Sequence, residues 1–149
     1  TTVLFDDRYE ILYQNKKLDD VEKITKEIWM PRGMTALFDA LGKTINDVGC
    51  ELDKLTEDQK PEKVLFVVVT DGQENSSKEF NSEQVKKLIS DQRNIWKWEF
   101  LFFGATEDSL NDAKNIGILH CKSYDTSNTK GMYSCFSSSV QSYRSSGKI

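Results

Sequence analysis

Asp71 is the first side chain of this sequence that could do chemistry, because it follows an unbroken apolar run, Val64–Val69. A short run of mostly β-branched residues predicts a strand buried on both faces, in the middle of a parallel sheet. In open α/β sheets, ligands bind just beyond the carboxyl ends of the strands. We therefore predict that the Asp71 carboxylate faces a binding crevice, although a plain turn after the strand would explain it about equally well.

Thr35 is the second candidate, because it opens a predicted helix. Apolar residues recur at three- and four-residue intervals from Leu37 to Leu55, and this spacing predicts a helix with one buried stripe. Thr35 stands where an N-cap belongs, with its side-chain oxygen beside unpaired backbone donors. A cap is the commoner role for such a threonine, and a cation ligand is the alternative.

Other polar residues could line the same rim. Glu74, Asn75 and Ser76 follow Asp71, but polar loop residues are usually just solvated. Asp39 lies one turn into the helix, where we prefer a favourable interaction with the helix dipole to a metal role. Asp6 and Asp7 end an earlier strand on the same side, and a turn explains them adequately.

The elements that would position these residues alternate between strand and helix. This alternation predicts one α/β domain over residues 1–149, a doubly wound, Rossmann-like and mostly parallel sheet with an antiparallel hairpin at one edge. Asn81 and Gln84 have the spacing of a capping box. The further predicted elements are strands Thr2–Phe5 and Tyr9–Tyr13, a short amphipathic helix or irregular segment Leu18–Ile28, a loop Pro31–Gly33, a helix from Asn81 to near Trp96, strand Trp98–Phe103, helix Glu107–Asn115, a weak edge strand Ile118–Tyr124, and helix Thr129–Tyr143.

Composition excludes several kinds of function. The formal net charge of −4 disfavours nucleic acid or an anionic membrane as the main partner. The longest apolar run is too short to span a bilayer. The three cysteines are widely spaced, with no Cys-x-x-Cys pair, and the sequence has a single histidine, His120. The sequence therefore does not suggest a disulfide framework, a zinc site or a catalytic triad with histidine. These features predict a soluble, cytoplasmic protein.

Three segments in order give the sequence a family resemblance. Pro31–Gly42 contains Arg-Gly-Met-Thr-Ala-Leu, Val69–Ser76 contains Thr-Asp-Gly-Gln-Glu-Asn, and Trp98–Ala105 reads Trp-Glu-Phe-Leu-Phe-Phe-Gly-Ala. Together they resemble the von Willebrand factor A (vWA) domains of bacterial and phage proteins. The resemblance implies a metal-ion-dependent adhesion site in which Thr35 and Asp71 bind Mg²⁺, Mn²⁺ or Ca²⁺. It also implies a protein partner whose acidic side chain completes the metal's shell, and binding rather than catalysis.

The sequence departs from this family in one respect, since the Asp-x-Ser-x-Ser loop is absent. Ser137–Ser139 does not replace it, because these serines lie in a predicted helix and lack the aspartate. We expect that one strand and its helix, roughly 30–40 residues, are missing upstream, so that this is an N-terminally truncated domain. Cation binding should then be weak or absent, and an open slot beside Val64–Val69 should invite self-association.

Two other functions remain open on the sequence alone. One is a magnesium-dependent enzyme of phosphoryl or nucleotide chemistry, with Asp71 holding the metal. Neither Gly-x-Gly-x-x-Gly nor Gly-x-x-x-x-Gly-Lys-[Ser/Thr] occurs in the sequence, and Thr70 has no apparent base beside it, which disfavours this alternative. The other is a structural domain that has lost its metal site.

Overall fold

A computed structural model describes residues 1–25, 27–28 and 33–149, and in this part of the chain a parallel sheet and an antiparallel hairpin form two separate sheets. The parallel sheet has the strand order β3–β4–β5, and β1 pairs with β2 in the hairpin. The elements in chain order are β1 (Thr2–Phe5), β2 (Tyr9–Tyr13), a 3₁₀ turn (Leu18–Asp20), α1 (Leu37–Asp53), β3 (Leu65–Thr70), α2 (Ser82–Trp96), β4 (Glu99–Gly104), α3 (Glu107–Asn115), β5 (His120–Ser123) and α4 (Thr129–Ser146).

Helices cover both faces of the parallel sheet, which confirms an α/β fold. The predicted place of the hairpin at an edge of this sheet is wrong, because β1 and β2 form a sheet of their own. Alternate side chains of β3 point to opposite faces. Phe66 and Val68 pack in a core with α1, α2 and α3, while Leu65 and Val67 pack with α4 around Met132. The helices that connect parallel strands therefore lie on one face, and the last helix covers the other.

The predicted middle position of the Val64–Val69 run is wrong, whereas the open side predicted beside this run is present in the described residues. The central strand is β4, whose residues Phe100–Phe103 are at most 1% exposed. The run forms β3 instead, which has β4 as its one strand partner among the described residues, and Val69 is 41% exposed. Both strands are continuous apolar runs, and composition alone does not say which of two such strands has neighbours on both sides.

The segment Leu18–Ile28 is not an amphipathic helix in its described part, which has regular structure only at the 3₁₀ turn Leu18–Asp20. Its apolar residues stay exposed, Leu18 to 77%. A helix this short gains its stability mainly from packing an apolar face, and this segment has none buried. Of the predicted loop Pro31–Gly33, Pro31 and Arg32 lie outside the described residues.

Several local predictions are confirmed. The strands of the hairpin and α3 have the predicted bounds, and α2 ends at Trp96. The side chain of Asn81 accepts a hydrogen bond from the Gln84 N–H, and the Gln84 side chain accepts one from the Asn81 N–H, as a capping box requires. These features depend on residues close in sequence.

A close contact between Gly42 and Phe80 fixes α1 against the segment that leads into α2. Gly42 lies in α1, and a Cβ atom added there would come within 2.5 Å of the Phe80 ring. The ring thus occupies the space that a side chain would need. The absence of a side chain at residue 42 is therefore a packing requirement of this helix.

We expect the substitution Gly42→Ala to destabilise the protein, although alanine is the better helix former by about 1 kcal/mol. Overpacking of the Phe80 ring costs about 1–3 kcal/mol and outweighs that gain. A urea titration should show a lower free energy of unfolding. Gly49→Ala in the same helix is the control, because its nearest atom would lie 4.0 Å away, and it should raise stability. A rise in both variants would contradict the packing role of Gly42.

The outer edge of β3 has backbone groups without a strand partner. Glu99 N–H donates to the Val64 carbonyl, and Ala105 N–H donates to the Thr70 carbonyl. Because peptide groups alternate along a strand, those of Leu65, Val67 and Val69 turn away from β4. No described residue hydrogen-bonds with them. An apolar edge of this kind is a template for pairing with another chain.

Self-association through this edge stays a prediction, and Val69→Lys tests it. A charge beside an open edge opposes pairing, so sedimentation velocity should show concentration-dependent association of the wild type and less of it for the variant. Ile95→Lys is the control, because Ile95 is an exposed apolar residue of α2 and does not belong to the sheet. A wild-type chain that is monomeric at every concentration would contradict the prediction.

Candidate functional site

The two predicted ligands lie together at the carboxyl end of β3. Asp71 directly follows this strand, and Thr35 precedes α1. The Thr35 hydroxyl oxygen lies against Gly72, so closely that a Cβ atom on Gly72 would come within 2.6 Å of it. The hydroxyl of one predicted ligand therefore touches the residue after the other. Glycine at position 72 is what permits this approach.

The Asp71 carboxylate is available at this edge. Asp71 is exposed, and neither its carboxylate nor the Thr35 hydroxyl has a hydrogen bond with a described residue. Burial raises the pKa of the nearby Tyr124 hydroxyl, and the negative charge of Asp71 raises that pKa further. Among the described residues, no group of three or more His, Cys, Asp and Glu side chains is placed to hold a metal ion.

Thr70 closes the turn that presents Asp71. Its side chain is buried, and its hydroxyl oxygen accepts a hydrogen bond from the Gly72 N–H at 3.2 Å and donates to the Gly72 carbonyl at 3.1 Å. The peptide of Gly72 is thereby tied to the last residue of β3. Asp71, between the two, is held at the tip of a rigid element.

Asn75 joins this loop to Thr35 through two hydrogen bonds. The Thr35 N–H donates to the Asn75 side-chain oxygen at 2.8 Å, and the Asn75 N–H donates to the Thr35 carbonyl at 3.0 Å. Both polar groups of the Thr35 main chain are used in this pair. The predicted reading of Asn75 as a merely solvated loop residue is therefore wrong.

Glu74 caps α1 from outside the helix. One of its carboxylate oxygens accepts from the Phe38 N–H at 2.9 Å and from the Ser77 hydroxyl at 2.7 Å, and the other accepts from the N–H groups of Ser76 and Ser77. Glu74 is thus also more than a solvated residue. The prediction that Thr35 caps the helix is wrong, because the N–H groups of Phe38 and Asp39 donate to Glu74 and Ser77 of this loop. The N-cap position is Ala36, without a side-chain bond.

Asp39 makes the reverse connection, from α1 to the loop. Its carboxylate accepts from the N–H groups of Lys78, Glu79 and Phe80 at 2.8–2.9 Å. Burial by itself would raise the pKa of Asp39, but these three backbone donors outweigh it and lower the pKa below its usual value. The carboxylate therefore holds the loop, in addition to any interaction with the helix dipole.

Asp6 brings the hairpin to the same edge. Its carbonyl accepts from the Ala36 N–H at 2.7 Å, and its carboxylate accepts from the Arg8 N–H within the β1–β2 turn. The turn interpretation of Asp6 is thus confirmed, and its main chain also fixes the residue after Thr35. Asp7, beside it, is exposed.

Sequence reasoning missed the holding roles of Asp39, Glu74 and Ser77. The hydrogen bonds between α1 and the loop join residues 36–41 positions apart. A pattern of nearby residues in the sequence does not predict contacts over such a distance. One signal existed, because the start of a helix leaves backbone donors that need acceptors. Ala36 at the N-cap does not supply one, so the acceptors had to come from elsewhere.

Comparison with known proteins gives no relative, since no family model, no curated protein and no solved structure matches this chain. Within the described residues, no helix has both the length and the apolar character to cross a lipid bilayer. The chemistry of the site therefore has to be inferred from its own residues.

The bonds of Asp39 predict an acid-dependent stability. Because its pKa in the folded protein lies below the usual value, its contribution is fully present above the unfolded-state pKa of about 3.8 and is lost as the pH falls through the folded-state pKa. We expect Asp39→Asn to lower the free energy of unfolding by about 1–3 kcal/mol at pH 7. The difference from wild type should shrink below about pH 4.

Urea titrations at pH 7 and pH 3 check this prediction, and Glu83→Gln is the matched control. Glu83 also lies in the first turn of its helix, α2, but is exposed and accepts no hydrogen bond from a described residue. If Asp39 stabilised the protein only through the helix dipole, Asp39→Asn and Glu83→Gln would lower the free energy of unfolding by the same few tenths of a kcal/mol.

Proposed function

We propose that this chain is a vWA-like protein-interaction module, in which Thr35 and Asp71 supply oxygen ligands to a divalent cation that a partner protein also binds. The observation that carries this proposal is the position of the Thr35 hydroxyl against Gly72, next to Asp71. Both side chains lie at the carboxyl end of a strand in an α/β sheet, where ligands of this architecture bind. Neither is hydrogen-bonded to another described residue.

The ligand set favours a hard cation. A hydroxyl and a carboxylate are oxygen ligands, which suit Mg²⁺, Mn²⁺ or Ca²⁺ better than softer metals. With one charged ligand from this chain, half of the cation's formal charge of +2 is not neutralised. An acidic side chain of a partner is the group that such an ion attracts. The same shortage of ligands makes the affinity of this chain for the cation low.

The enzyme alternative has less support. A magnesium-dependent phosphoryl transferase needs a nucleophile or a base at the site, and the hydroxyl nearest Asp71 in sequence is that of Thr70. This hydroxyl is bonded on both sides to the peptide of Gly72 and is buried. It therefore serves the turn. The remaining alternative, a structural domain without a metal, is an outcome of the following test.

Paramagnetic broadening by Mn²⁺ tests the cation site, because it detects even weak binding residue by residue. In the ¹⁵N-labelled chain, we expect Mn²⁺ to broaden the amide signals of Thr35 and Gly72 first, and Mg²⁺ to reverse the effect. Asp71→Ala should abolish this broadening. Asp58→Ala is the control, because Asp58 is an exposed acid in the segment before β3, at the other end of that strand.

Calorimetry with Mg²⁺ should give a dissociation constant on the order of 1 mM or weaker. Micromolar affinity would contradict a site with two ligands from this chain. Broadening that is unchanged in Asp71→Ala, or absent from Thr35 and Gly72, would overturn the proposed site and favour a structural domain.

A further inference from the structure

We propose that Asn75 is a positioning residue of the candidate cation site, which holds the Thr35 hydroxyl beside Asp71 without itself contacting the cation. The inference rests on the proposed function and adds to it the residue that fixes its geometry. Asn75 acts on Thr35 through the two hydrogen bonds between their main chains and the Asn75 side chain, at 2.8 and 3.0 Å.

Thr35 needs such support because no regular element holds it. It precedes α1, and the two residues before it, Gly33 and Met34, are exposed. The next hydrogen bond along the chain is the one from the Ala36 N–H to the Asp6 carbonyl. Among the described residues, Asn75 is thus the partner of both main-chain groups of Thr35.

Asn75 can fix the position of Thr35 relative to Asp71, because Asp71 and Asn75 belong to the same short loop. The loop is tied at its start by the bonds of Thr70 to Gly72, and at Glu74 by the bonds to the first turn of α1. The Glu74 N–H also donates to the Asp112 carboxylate of α3 at 3.0 Å. Residues 71–75 therefore form a firmly held segment, and the pair between Asn75 and Thr35 extends that order to the second ligand.

The chemistry of asparagine suits this role. Its side-chain oxygen accepts a hydrogen bond from the Thr35 N–H at 2.8 Å. Removal of a group that orients a metal ligand typically lowers metal affinity by about 10- to 100-fold. An exposed loop residue without this role would leave affinity unchanged.

The test compares Asn75→Ala and Asn75→Asp with wild type by the Mn²⁺-induced relaxation enhancement of the Gly72 amide. Asn75→Ala removes the acceptor, and the enhancement per added Mn²⁺ should fall roughly 10-fold. Asn75→Asp keeps an oxygen acceptor for the Thr35 N–H and should retain at least the wild-type value. Amide exchange of Thr35 should be faster in Asn75→Ala and near wild type in Asn75→Asp.

Asn94→Ala is the matched control, because the Asn94 side chain makes a local, exposed hydrogen bond to Ser90 within α2. Its relaxation enhancement should equal that of wild type. If Asn75→Ala does not fold, Asn75→Gln takes its place, since it keeps the amide but displaces the acceptor by one methylene group. The same roughly 10-fold fall is then expected.

The outcomes separate this inference from the proposed function. If Asp71→Ala abolishes the enhancement but Asn75→Ala leaves it unchanged, the positioning role is overturned and the cation site stands. If Asp71→Ala leaves the enhancement unchanged, both are overturned. A fall in Asn75→Ala that Asn75→Asp does not restore would also overturn the role, because the lost group would then not be the oxygen acceptor.

Discussion

The arrangement of this site depends on backbone N–H groups, at two places in the chain, that cannot find acceptors within their own segment. The first N–H groups of α1 have no carbonyl acceptor within the helix. The loop before α2 has three further N–H groups that need acceptors, those of Lys78, Glu79 and Phe80. Each segment supplies the carboxylate that the other needs, Glu74 for the helix and Asp39 for the loop. Leaving such groups unpaired away from water costs roughly 1–3 kcal/mol each. This exchange of acceptors brings the loop after β3 onto the start of α1, and the neighbouring Thr35 and Asp71 come together as a result.

The sequence predicts best what is decided by near neighbours. The capping box of α2 and the hairpin strands depend on residues a few positions apart, and apolar spacing locates α1 and α4. The meeting of Thr35 and Asp71 at one edge was predicted as well, from the rule for the ends of sheet strands and from the family resemblance. The hydrogen bonds between the loop after β3 and the start of α1 were not predicted, because they join residues about 40 positions apart.

The order of strands shows a different limit of the sequence. β3 and β4 are both unbroken apolar runs, and both pack against helices on two faces. What separates them is the number of strand neighbours, and this number is a property of the topology rather than of either strand. The partial exposure of Val69 in β3 and the full burial of Phe103 in β4 follow from that difference. The wrongly predicted helix at Leu18–Ile28 shows the same limit. Its apolar spacing suits a helix, but its described apolar side chains are exposed and belong to neither hydrophobic core of the described chain.

The length of chain between the start of α1 and the loop after β3 has a consequence for the order of folding. A contact that closes a loop of about 40 residues costs more chain entropy than a contact between residues close in sequence. The hairpin, the capping box of α2 and the first turns of the helices can form early, since each needs only its own neighbours. The proposed cation site at Thr35 and Asp71 forms only when α1 has docked on β3. The contact between Thr35 and Gly72 is therefore completed together with the tertiary fold, and an unfolding intermediate that keeps its helices but not this docking will already have lost the contact.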